Sequence, residues 1–228
     1  MSAFPFPVGE GKGPGRLRCC QRCMKGSDVV KLRNCSGCET QRYCSKECQT
    51  ADWPLHKAQC KSIRQARKQI QSELPDQSHA LKDFDKWRAT FHQDLVILTA
   101  GILTFDQQKT HVATMNIEYR PELPVRFQLD EEYGAVSVAH IGEYDRANNY
   151  DGLGQIIAHA RERYQHHGGR ILIMLLRCPT LSNMVRVVPC VIPEDGGEYR
   201  TYHTGQTPDT IRYIIRRVND GVAYAHLP

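Results

Sequence analysis

Apolar residues follow two different rhythms in the longer part of this chain, and the rhythm changes where proline and glycine punctuate it. Phe84, Trp87, Phe91, Leu95, Leu98 and Ile102 recur every three or four positions, which predicts one long helix with a single apolar stripe. Residues 112–119, 125–129 and 133–141 are short apolar-rich runs broken by Pro121, Pro124 and Gly134, which predicts strands in an antiparallel meander. A helix over 154–166 ends at Gly168 and Gly169, and the unbroken apolar run 170–177 reads as a buried strand with 185–192 as its neighbour. Thr207, Pro208 and Asp209 open a last helix in which Ile211, Ile214, Ile215 and Val218 share a face, with Gly221 near its end. This order predicts an α+β domain over 79–228 with a mainly antiparallel sheet, long enough to bury its own core.

The first 78 residues lack that rhythm. Residues 1–15 hold Pro5, Pro7 and Pro14 among glycines and are expected to be a flexible tail. Asp52, before Trp53 and Pro54, reads as the cap of a helix that carries His56 and Cys60 one turn apart and runs on through a basic strip, Lys61, Arg64, Arg67 and Lys68. Residues 61–78 are then a helical extension and linker, with Leu74 to Ser78 as the linker proper. No apolar stretch approaches the roughly 20 residues of a membrane helix.

Ten cysteines change this picture, because seven of them fall with one histidine between residues 20 and 60: Cys20-x2-Cys23, Cys35-x2-Cys38, Cys44-x3-Cys48 and His56-x3-Cys60. Eight nitrogen and sulfur donors in four close pairs are what two tetrahedral zinc ions require, with no open position left for water or substrate. A regular histidine and the absence of an apolar opening segment argue against a disulfide framework. Cys19 adjoins Cys20 and competes with it as a donor, although the two-residue spacer to Cys23 favours Cys20. Cys178 and Cys190 sit in apolar runs and read as small buried hydrophobes. The formal charge of +5 counts the thiols as neutral; seven thiolates and two zinc ions lower it to about +2, too little to argue for phosphate binding on its own.

The spacing closely resembles that of the MYND zinc finger, in Asn34-Cys35-Ser36-Gly37-Cys38, in Arg42-Tyr43-Cys44 and in the gaps from Cys44 to Cys60. The resemblance implies interleaved sites: Cys20, Cys23, Cys44 and Cys48 on one ion, and Cys35, Cys38, His56 and Cys60 on the other. Spacing alone leaves sequential pairing open. The resemblance to corepressor MYND fingers further implies binding of an extended Pro-x-Leu-x-Pro peptide, with Trp53 stacking on proline, Gln49 fixing the peptide backbone and Ser36 adding a hydroxyl. Thr40 to Tyr43 would supply the strand edge.

Three function classes follow. The first is a zinc-stabilised interaction protein of the nucleus or cytoplasm that recruits a proline-containing partner. The second is a nucleic-acid-associated factor using 61–68. The third is an enzyme, either of the SET methyltransferase type in which MYND fingers occur or with an unmarked site in 79–228. The methyl-donor segments of a SET domain are not recognisable, Gly152-Leu153-Gly154 lacks the rest of a phosphate loop, His159, His166 and His167 read as a polar helix end rather than a metal site, and Ser182, His203 and Cys190 form no nucleophile motif, so a non-catalytic protein is expected.

Overall fold

A computed structural model describes residues 19–23, 25–77, 79–104, 106–130, 136–143, 153–164, 170–192 and 208–223. The expected tail 1–15, Tyr133, Gly134, Gly152, His166, His167, Gly168, Gly169 and His203 lie outside these residues. The chain divides into two compact units between Lys68 and Gln69.

In the first unit, β1 (Arg33–Asn34) pairs antiparallel with β2 (Arg42–Tyr43), with Arg33 opposite Tyr43 and Asn34 opposite Arg42. Helix α1 (Lys46–Glu73) follows, with the residues from Gln69 onward belonging to the second unit, and contains Pro54 in its interior. It therefore starts two turns before the expected cap. Ser45 is the reason: its Oγ accepts the Cys48 amide at 3.2 Å, and Glu47 in the first turn complements the helix dipole. Pro54 removes the donor to the Thr50 carbonyl, a loss softened because Thr50 is exposed to water. Asp52 is buried inside the helix rather than capping it.

In the second unit, the predicted single helix is two: α2 (Ala80–Thr90) and α3 (His92–Ile102), broken at Phe91. Phe84, Trp87, Phe91, Leu95 and Leu98 of the stripe are buried and Ile102 is partly buried, but Leu95 to Ala100 are buried consecutively, so the middle turns of α3 are enclosed on all sides while α2 keeps a polar face. The bend at Phe91 reconciles the two environments, with its amide bonded to the Trp87 carbonyl at 3.0 Å.

The sheet comprises β3 (His111–Tyr119), β4 (Phe127–Leu129), β5 (Val136–His140), β6 (Arg170–Cys178) and β7 (Met184–Ile192). It is mixed, not a meander. β4 and β5 both pair antiparallel with β3 rather than with each other, β6 lies parallel to β3, and β7 is antiparallel to β6. A parallel neighbour needs a crossover, and α4 (Leu153–Tyr164) lies on it. On one face Ala113, Met115, Ile117, Leu172, Met174 and Leu176 join α2, α3 and α5 (Pro208–Asn219) in the main core. On the other, Val112, Ile173 and Leu175 pack with Ile157 of α4. Burial of β6 on both faces explains its unbroken apolar run, and each such side chain contributes roughly 1.5–3 kcal/mol.

Leu74 packs on this core, and Pro75–Gln77 form a 3-10 turn. Cys178 and Cys190 are buried in the sheet, and burial pushes the Cys190 thiol up to about 12. Gly221 closes α5 with φ +82, and a Cβ there would meet Val125 Cγ2 at 2.9 Å.

Candidate metal centre

Turns between short strands and the first half of α1 bring the eight predicted donors into two groups, Cys20, Cys23, Cys44 and Cys48, and Cys35, Cys38, His56 and Cys60, with all donor atoms of each group within 4.8 Å of one another. This grouping interleaves along the chain. Cys19 is buried but stands outside both groups.

In the first group Cys23 Sγ lies 3.6 Å from Cys44 Sγ, and Cys44 Sγ 3.5 Å from Cys48 Sγ. In the second, Cys35 Sγ is 3.9 Å from Cys60 Sγ and Cys38 Sγ is 3.5 Å from His56 Nε2. A tetrahedron with metal to sulfur bonds near 2.3 Å has edges of about 3.8 Å, so these separations suit one ion each. The donor chemistry fits as well, since thiolate with imidazole is the structural zinc set. Both groups are thus compatible with zinc. The second is wholly buried, whereas the first keeps Cys23 exposed.

The protein has arranged these thiols unequally. Burial raises the Cys38 thiol, but contact with His56 and the amides of Gln41 and Thr40 outweigh it and bring it down to about 6. Burial likewise raises the Cys20 thiol, but the amides of Cys23, Cys44 and Arg22 outweigh it and bring it down to about 7. Cys60 goes the other way, to about 12, through burial and then the negative charge of Cys38 and Cys35. A second anion is costly beside the first unless a cation joins them.

Several supporting residues were not singled out by spacing. A Cβ on Gly37 would lie 2.9 Å from Cys60 Sγ, so the first knuckle of this site closes only on glycine. Tyr43 donates its hydroxyl to Asp52 at 2.7 Å, tying β2 to α1. Arg67 donates to the Cys38 carbonyl at 2.7 Å and pairs with Glu39 at 3.0 Å, so one of the four expected basic-strip cations is turned onto the finger. Sequence offered no signal for these through-space partners beyond the presence of the residues.

Of the expected peptide-contacting residues, Gln49 and Trp53 lie one turn apart on α1, and Ser36 is exposed directly after Cys35. Trp53 is 42% exposed, with its ring edge-on to His56 at 6.0 Å. The expected strand edge needs correction. The Arg42 carbonyl on β2 accepts the Gln21 amide at 2.9 Å, so that edge is occupied, and the exposed strand is β1.

The MYND finger family model matches residues 20–60. Those residues are a MYND finger. SET domain-containing protein 14 of Caenorhabditis elegans is 47% identical over 45 residues, 20% of this chain and 10% of that protein. SET domain and MYND-type zinc finger protein 6 of Schizosaccharomyces pombe is 48% identical over 52 residues, 23% of this chain and 10% of that protein. Histone-lysine N-methyltransferase SMYD3 of Homo sapiens is 25% identical over 132 residues, 51% of this chain and 30% of that protein. The chain thus spans a tenth to under a third of the length of these relatives. No solved structure matches it.

A MYND finger is a protein-interaction module, and zinc binding with protein interaction is the function this match supports. The expectation of a non-catalytic protein is corrected by the same comparisons, since relatives that match the chain are named lysine methyltransferases, although the matches are partial and fall mostly on the finger. Among the described residues no helix is long and apolar enough to cross a membrane.

Proposed function

We propose that Cys20, Cys23, Cys44 and Cys48 hold one structural zinc ion, that Cys35, Cys38, His56 and Cys60 hold the other, and that the finger so shaped recruits a proline-containing peptide. Bound zinc supplies folding free energy, on the order of 10 kcal/mol or more in small fingers. Thiolate donors suit a reducing compartment, nucleus or cytoplasm.

Trp53 carries the peptide reading. In a module with so little apolar surface, an indole that served only as a lid on the metal core would be buried, yet this one is 42% exposed. An exposed, rigid indole with an amide side chain one turn away suits a proline ring and its neighbouring peptide bond. In this arrangement the ligand extends along β1, where Arg33 and Asn34 are exposed and Ser36 follows. Calorimetric titration of the zinc-loaded chain with a Pro-x-Leu-x-Pro peptide and a scrambled control tests it. We expect binding of the first peptide alone, weakened at least tenfold by Trp53→Ala. Equal binding of both peptides, or of neither, overturns it.

A second reading follows from the relatives named as lysine methyltransferases, one of which aligns over 51% of this chain. On that reading the protein transfers a methyl group to a lysine amine. Incubation of the zinc-loaded chain with labelled S-adenosylmethionine and lysine-rich protein substrates is the check: label on lysine supports it, and no transfer above a protein-free control removes it.

A further inference from the structure

The helix that presents Trp53 continues as a cationic stripe. Lys57, Lys61, Arg64 and Lys68 are exposed and follow Trp53 at intervals of four, four, three and four residues, which places all five on one side of α1. No acidic residue occurs on α1 between the buried Asp52 and Glu73. Among the described residues none of these four cations forms an ion pair, in contrast to Arg67, which is held by Glu39 and the Cys38 carbonyl. Like charges at these helical spacings repel and weaken the helix that carries them. An anionic partner laid along the stripe relieves that repulsion.

We infer that the peptide recruited at Trp53 carries a run of Asp or Glu beside its proline motif and that this run lies along Lys57, Lys61, Arg64 and Lys68. The inference rests on the peptide reading above and adds the charge signature of the partner. Its dimensions follow from backbone geometry. Lys57 stands about 6 Å and Lys68 about 22 Å along the axis from Trp53 at about 1.5 Å per residue. An extended peptide advances about 3.3 Å per residue, so the acidic run falls roughly two to seven positions from the proline on Trp53. A peptide fits better than nucleic acid, because the cations form a single row headed by an exposed aromatic side chain, and the zinc-loaded chain has a formal charge of only about +2.

The test uses the full zinc-loaded chain and fluorescence anisotropy at low and high salt. The probes are Pro-x-Leu-x-Pro peptides flanked on either side by four Asp/Glu or by four Ser/Gln, a proline-free acidic peptide, and a duplex oligonucleotide. We expect one acidic-flanked peptide to bind about fivefold to tenfold more tightly than its neutral counterpart at low salt, with the advantage shrinking as salt rises. The combined variant Lys61→Gln, Arg64→Gln, Lys68→Gln should erase that advantage and leave the neutral peptide's affinity unchanged. Equal affinity of acidic and neutral peptides overturns the inference while the peptide reading survives. Binding of no proline peptide overturns both. Equally tight binding of the proline-free peptide or the oligonucleotide overturns the inference in favour of a purely electrostatic surface.

Discussion

The Tyr43 hydroxyl donates to Asp52 Oδ2 at 2.7 Å, and both residues are buried. This bond joins β2, one residue before Cys44, to the turn of α1 that precedes His56. It therefore connects the ligand segments of the two metal groups and accounts for a carboxylate inside a helix where a cap was expected. Tyr43→Phe keeps the ring but strips Asp52 of this donor, at a cost of about 1–3 kcal/mol. Thermal unfolding of the zinc-loaded protein should show the loss, and Asp52→Asn, which still accepts, should lose less. Unchanged stability in Tyr43→Phe would mean that the bond contributes nothing net.

Gly37 offers a sharper test of one metal group. A methyl at this position would lie 2.9 Å from Cys60 Sγ and 3.4 Å from Arg64 Cδ. Gly37→Ala must push Cys60 away or open the knuckle, so the second group should release its ion to a chelator at least tenfold more readily. Metal analysis during a chelator titration should find the first group's ion retained. Equal retention of both ions would refute the close approach.

What was legible in the chain, and what was not, divides by the range of the interaction. The metal groups were readable because tetrahedral coordination tolerates few donor spacings, and the interleaving became geometry only when β1 and β2 folded against α1. Phe84, Trp87, Leu95 and Leu98 were correctly placed in a core, but their rhythm is blind to a bend at one residue, Phe91. The parallel pairing of β3 with β6 has no local signature, since Ala113 and Met174 are neighbours only through the sheet. Arg67 read as one more cation of the basic strip because nothing near it in sequence announces the Cys38 carbonyl. The helix start was missed because Pro54 is a stronger local signal than the hydroxyl of Ser45.

His92 makes the stability depend on pH. Burial, and then the charge of Arg88, lower its pKa from the ordinary 6.5 to about 4. The folded state thus binds fewer protons than the unfolded state between these values. By linkage, the stability associated with neutral His92 is fully present above about pH 6.5, falls as the pH drops, and is lost by about pH 4. Denaturant unfolding of the native chain at pH 7 and pH 5 should differ by about 2 kcal/mol from this group. Fluorescence of Trp87 in a Trp53→Phe background reports on this unit. His92→Gln should flatten the dependence, and an equal slope in the variant would assign it elsewhere.

Asp94 and Arg217 connect α3 to α5 through a pair of side chains 3.6 Å apart, and each is less than a tenth exposed. Two buried charges are expensive to desolvate, so the pair need not be stabilising relative to apolar residues of similar volume. Removing one member is a different matter, because the other then loses this counter-ion in a medium that solvates it poorly. Arg217→Met should destabilise the second unit by about 3–5 kcal/mol, whereas Arg217→Met combined with Asp94→Leu should recover most of that loss. The coupling measured in this double-mutant cycle by denaturant unfolding separates the ion pair from the stacking of the Arg217 guanidinium over the Tyr213 ring, 5.7 Å from its centroid. Additive losses would show that packing, not charge pairing, is what Arg217 provides.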